Sequence, residues 1–105
     1  MNFFVCYDIS DDKRRLRLSK LLLREGCQRV QKSVFFAADF DRVEMLRLKN
    51  KVEKLLLNVL PTEGGTFDDS VLYIPLYNDA LQEVVWQGDK TLWAKVWQKD
   101  IGKLF

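Results

Sequence analysis

The chain has 105 residues, a formal net charge of +2 from 17 lysines and arginines against 15 acids, 48% hydrophobic residues and no histidine. That length holds one domain with a single core. Without histidine, and with only Cys6 and Cys27 in widely separated positions, zinc sites and the Ser-His and Cys-His nucleophile schemes are excluded, so any hydrolysis would rest on carboxylates and a metal-bound water.

No apolar run approaches the ~20 residues of a membrane span, and the amino terminus offers neither a basic segment nor a small-residue cleavage site, so a cytoplasmic protein with no membrane contact is expected. Both cysteines read as buried thiols. The charge is unevenly spread. Residues 1–32 carry eight bases against four acids, whereas the rest carries nine against eleven. Such asymmetry fits a surface that meets a polyanion, with an ordinary solvated face as the alternative.

In chain order, Phe3, Phe4, Val5, Cys6 and Tyr7 lack the alternation of a half-exposed strand and predict one buried on both faces. Asp8 closes it. A carboxylate at a strand's carboxyl end, followed by a helix start and a cationic cluster, can hold a divalent ion near a phosphate. Ser10 or Asp11 caps a helix expected from Asp12 to Glu25, with Gly26 as its stop. On that helix Lys13, Arg17, Lys20 and Arg24 recur at four, three and four, which gathers them on one face.

Arg29–Gln31 and Ser33–Ala37 predict two short strands, either a hairpin or one bent strand broken near Lys32. A second helix is expected from Asp41 to Asn58, with Met45, Leu48, Val52, Leu55 and Val59 as its apolar stripe and Pro61 beyond its end. Thr62 to Asp69 reads as a loop containing Gly64 and Gly65, and Ser70 to Leu76 as a strand. The order strand, helix, two strands, helix, strand is the α+β split βαβ, or ferredoxin-like, pattern: an antiparallel sheet with both helices on one face. The second face then has no cover. With apolar residues on both sides of the strands, burial in a homodimer is expected.

Residues 1–77 form this core domain, and 78–105 a carboxyl-terminal tail. In the tail, Leu81–Trp86 predicts a fifth strand that can add to the edge of a partner's sheet. Beyond Gly88, a helix with Trp93, Val96, Trp97, Ile101 and Leu104 on one side and Lys95, Lys99 and Lys103 on the other is expected, docked on its own domain or on another protein.

Three stretches in this order, YDISDDKRR, GCQRVQKSVF and DDSVLYIPL, resemble the CRISPR-associated Cas-two family across residues 1–77. The resemblance implies ferredoxin-like protomers that dimerise through their sheets and form the small subunit of the complex that inserts foreign DNA as new spacers, bridging two dimers of the Cas-one integrase. It also implies metal-dependent nuclease activity on single-stranded RNA or duplex DNA. By position it places the metal-binding aspartate at Asp8, with Tyr7 beside it, and assigns roles in nucleic-acid handling or activity to Arg15, Arg17, Arg29 and Phe35. The tail from Asp79 matches none of the three motifs.

Two mechanisms follow. In the first, two Asp8 carboxylates face one another across a dimer seam and hold Mg²⁺ or Mn²⁺, while Arg15, Arg17 or Arg29 steadies the developing charge on a phosphate. In the second, the chain is a DNA-clamping scaffold without catalysis, in which Lys13, Arg17, Lys20 and Arg24 bind phosphates and no bases are read. A toxin-like endoribonuclease of the VapD type, which shares the fold and dimer mode, is the third reading.

Overall fold

A computed structural model describes residues 1–57 and 69–96. The elements are β1 (Asn2–Asp8), α1 (Asp12–Arg24), β2 (Gln28–Gln31), β3 (Val34–Ala37), α2 (Arg42–Leu57), β4 (Ser70–Leu76), a 3₁₀ turn (Ala80–Glu83) and α3 (Thr91–Val96). The four strands make one antiparallel sheet in the order β2-β3-β1-β4. This is the split βαβ arrangement expected from the sequence. The segment from Asn58 to Asp68, and with it most of the expected loop, lies outside the described residues, as do Trp97, Lys99, Ile101, Lys103 and Leu104.

Local chemistry sets the element ends. Asp11 caps α1, its carboxylate accepting from the Arg14 N–H at 2.8 Å. Gly26, at φ 95°, takes the left-handed conformation that ends the helix without a Cβ penalty. Asp41 and Glu44 bond reciprocally at the start of α2, each side chain accepting the other's backbone N–H at 2.7 and 3.1 Å, which is a capping box. β2 and β3 form a hairpin turning at Lys32 and Ser33, with a bulge between Arg29 and Gln31.

The sheet separates two apolar clusters. On the helix side, Phe3, Val5, Tyr7, Phe35 and Ala37 pack with Leu18, Leu21, Leu22, Leu48 and Val52. On the other side, Phe36 and Val30 are buried under Leu81, Trp93 and Val96, with Phe4, Val34, Leu76, Val84 and Trp86 at the margin. Trp86 and Trp93 stack at 5.5 Å between ring centroids.

Three expectations change here. β1 is fully buried only on the helix side, since Phe4 and Cys6 are half-buried. The second face is covered in part by the chain's own carboxyl-terminal segment, because Trp93 and Val96 bury more apolar surface on the sheet than they could in water. The apolar surface left open lies toward the carboxyl end of β1, where Leu72 is 59% and Ile74 40% exposed. Finally, Leu81–Trp86 is not a strand in this chain. Its first half is the 3₁₀ turn, with Leu81 buried against the sheet as an anchor. No helix among the described residues is long and apolar enough to cross a membrane.

Candidate nucleic-acid interface

Asp8 closes β1 opposite Ser70 of β4, and it is exposed. Tyr7 is buried on the helix side, so the alternation of the strand turns Asp8 toward the other face, in line with Phe4 and Cys6. A clip fixes this strand end. Arg14 pairs with Asp69, just before β4, and the two side chains are only 2% and 8% exposed. Asp69 also accepts from the Ser10 N–H at 3.2 Å and the Ser10 hydroxyl at 3.4 Å. The end of β1, the start of α1 and the start of β4 are thereby tied together. The sequence reading gave Arg14 no role beyond its charge. Its position four residues before Leu18, on the buried side of α1, was the available signal.

Two basic surfaces leave α1 in different directions. Lys13, Arg17, Lys20 and Arg24 are all exposed on one face, as their spacing predicted. Each like-charged pair at three or four residues costs a helix about 0.2–0.5 kcal/mol, and no acid at those spacings offsets it. Lys13 and Arg17 border a 560 Å³ recess with Ser10, Asp11 and Asp12. Two of these groups are already committed: the Asp11 carboxylate to the helix cap and Asp12 to Arg15.

Arg15 lies about 200° around the helix from Lys13. Together with Tyr7, Asp12, Leu16, Ser19, Arg29 and Lys32 it lines a 240 Å³ pocket. Arg15 donates to the Ile9 carbonyl at 3.2 Å. The Arg29 guanidinium lies 5.1 Å from the centroid of the Phe35 ring, a cation–π contact. Phe35 in turn stacks on Tyr7, whose hydroxyl donates to the Lys32 carbonyl at 3.2 Å. The pocket holds three cations against one acid.

Of the three arginines offered as alternatives for steadying a phosphate, the geometry groups two and sets the third apart. Arg15 and Arg29 share a pocket, and Arg17 belongs to the opposite side of α1, because two residues along a helix turn a side chain about half-way round. Phe35 is fully buried and Tyr7 nearly so; they hold Arg29 and the hairpin turn in place and present no ring for a base to stack on. Lys32, to which the sequence reading assigned only charge, joins this pocket.

Among the described residues no three of His, Cys, Asp and Glu gather into a metal-binding group. Asp8 borders neither recess. The cysteines are free thiols on opposite sides of the sheet. Burial, aided by the charge of Glu25, pushes the Cys27 thiol up to about 12. Burial, aided by Cys27, pushes the Tyr73 hydroxyl up to about 12 as well.

A family model described as CRISPR associated protein Cas2 matches residues 1–84. The chain belongs to the Cas2 family. Among curated Cas2 relatives, a CRISPR-associated endoribonuclease Cas2 2 of Thermodesulfovibrio yellowstonii is 34% identical over 88 residues, covering 84% of this chain and 86% of that protein. A protein of the same description from Synechocystis is 64% identical, but over 36 residues only, 33% of this chain and 38% of the relative. The crystal structure of Streptococcus pyogenes Cas2 superposes with a TM-score of 0.63 at 25% identity, over 84% of this chain and all of that one. A chain of a partial Cas6-RT-Cas1–Cas2 complex gives 0.64 at 25% identity, over 81% of this chain and 88% of its own length. The Cas2 match takes in every residue of both basic surfaces, and ends within the segment that covers the sheet.

Proposed function

We propose that this chain is the small subunit of a spacer-acquisition complex, a homodimer that holds duplex DNA on paired basic helices and bridges Cas1 integrase dimers. The observation that carries this reading is the run of four exposed bases on α1 with no acid at neighbouring helical positions. A face that costs helix stability and whose bordering acids, Asp11, Asp12 and Glu25, are already engaged elsewhere suits an external polyanion. The open apolar end of the sheet, around Leu72 and Ile74, gives the second copy its place. Resemblance to a chain of a complex that contains Cas1 supports the integrase partner.

Binding through phosphates alone is tolerant of sequence and steep in salt. Titrating labelled duplex DNA over a salt series therefore tests the reading. Lys13→Gln/Arg17→Gln should flatten the log–log slope by ~0.9 for each lost phosphate contact. A slope equal to that of the wild type sinks the clamp.

Phosphodiester cleavage is a second reading, favoured by the exposure of Asp8 on the open face. A two-fold axis through that face brings two Asp8 carboxylates together, and Mg²⁺ or Mn²⁺, which binds through one or two carboxylates plus waters, would supply Lewis acidity there. Arg15 and Arg29 would hold a phosphate in their own pocket. Comparing Asp8→Ala with wild type on labelled RNA and duplex DNA, with and without Mg²⁺, decides it. Equal cleavage by both removes Asp8 from the chemistry.

A further inference from the structure

The basic face of α1 does not end at the helix. Arg17, Lys20 and Arg24 form one bank of an 870 Å³ groove whose other bank is Lys51 and Lys54 of α2, with Leu21 and Leu55 in its floor and Glu25 at one end. This groove holds five cations and one carboxylate. Moreover, Glu25 is already shared, with Arg47 at 3.4 Å and Lys51 at 3.2 Å. Lys51 can therefore swing to a ligand while Arg47 keeps the carboxylate paired, and Lys54 makes no ion pair among the described residues.

We infer that the α1–α2 groove is a nucleic-acid backbone track, in which Lys51 and Lys54 take phosphates that the α1 stripe alone would leave half-neutralised. The inference rests on the clamp reading above and extends it to a second helix. Three features point to a phosphate chain. Arg17 and Arg24 are seven residues apart, about 10.5 Å along the helix, so the bank is long enough to meet more than one phosphate of a strand. The bases line both sides of a concave surface, so one strand can be contacted from two directions. The Leu21 and Leu55 floor suits the less polar sugar edge between phosphates. Glu25 has a structural part to play, since its ion pairs with Arg47 and Lys51 tie the end of α1 to α2 beside the groove.

The recess at the other end of the stripe differs in kind. There Lys13 and Arg17 sit among Asp11 and Asp12, so positive potential rises from the start of α1 toward its end. A strand following this gradient runs along α1 and into the groove.

The experiment uses the full chain and a labelled duplex, with affinity read by fluorescence anisotropy across a salt series. Lys51→Gln/Lys54→Gln should make the slope shallower by about 1.8, and Lys54→Gln alone by about 0.9. The charge-matched control Lys90→Gln/Lys95→Gln, on the tail, should leave the slope within error of wild type. Lys54→Gln guards against misfolding as the cause, because no ion pair is lost with it. If the groove variants keep the wild-type slope while Lys13→Gln/Arg17→Gln flattens it, the groove inference fails and the clamp stands. If neither pair changes the slope, both fall. An equal drop in the tail control would reduce the effect to net charge and overturn the track. An unchanged slope together with weaker co-purification of the integrase would also overturn it, by placing a protein on the groove.

Discussion

Removing Asp69 should cost more stability than removing any other single loop carboxylate among the described residues. Its partner Arg14 is 2% exposed and Asp69 itself 8%. The Arg14 Nε and Nη1 atoms are buried with no hydrogen-bond partner among the described residues, so among these the pair with Asp69 is what compensates this guanidinium. Asp69→Ala leaves a buried cation alone, which costs about 3–5 kcal/mol in comparable sites. Against a typical domain stability of 5–15 kcal/mol, that is about a fifth or more of the total. Urea unfolding followed by far-UV circular dichroism, at a slope of roughly 2 kcal/mol per molar, should show the midpoint falling by about 2 M. Arg14→Met/Asp69→Leu, which removes both charges and keeps apolar volume, should recover most of the loss. A fall below about 0.5 M for Asp69→Ala would mean that water reaches Arg14 and that the clip is no dry pair. The clip also anchors the strand end bearing Asp8, so Asp69→Ala should weaken any activity that depends on Asp8 at temperatures where the fold persists.

Stability should decline in alkali. The Cys27 thiol lies at about 12 in the folded chain against an ordinary 9.0. Its contribution is therefore complete below pH 9 and lost progressively toward pH 12, as the unfolded thiol ionises and the folded one does not. By pH 10 this amounts to about 1.4 kcal/mol, and Cys27→Ala should show a shallower loss between pH 8 and 10 in urea melts. Phe35→Ala should destabilise by about 3–5 kcal/mol and release Arg29, whereas Phe35→Leu should keep the fold and still weaken binding at low salt. Unchanged affinity in Phe35→Leu would dissociate the ring from Arg29. Trp93→Ala should abolish the near-ultraviolet signal of the Trp86–Trp93 stack, whose rings lie 6° from parallel, and enlarge the open apolar face. If two copies pair through the open face, as proposed, Leu72→Lys should shift the equilibrium toward monomer in equilibrium sedimentation; a persistent dimer would move its seam elsewhere.

The fold was readable because its cues are local. Asp11, Gly26 and the spacing of Leu48 and Val52 each act over a turn or two, and they placed α1 and α2 to within a residue at the ends that are described. The conformation of the tail in the single chain was harder to read, for the opposite reason. LQEVVW has strand-like composition, but Leu81 is drawn into a gap beside Phe36 and Val30, a contact between residues far apart in sequence. The same holds for the site. Periodicity revealed the α1 stripe, while the pairing of Arg29 with Arg15, the separation of Arg17 from both, and the partnership of Arg14 with Asp69 depend on how the hairpin and β4 meet the helix. Residue types along the chain carry no record of that meeting.

Because α1 carries bases on two sides, it acts as a gauge. Under the proposed function, any phosphates taken by Arg15 and Arg29 on one side and by Arg17 and its neighbours on the other would be kept apart by at least the helix's own width, about 10–12 Å. Adjacent phosphates of one strand cannot span that distance, so the two surfaces must serve different strands or well-separated segments of one. Both rows ride on a single rod of 13 residues. A ligand that tilts the rod to improve its fit on one side must carry the other row through the same rotation, which couples occupancy of the two surfaces mechanically.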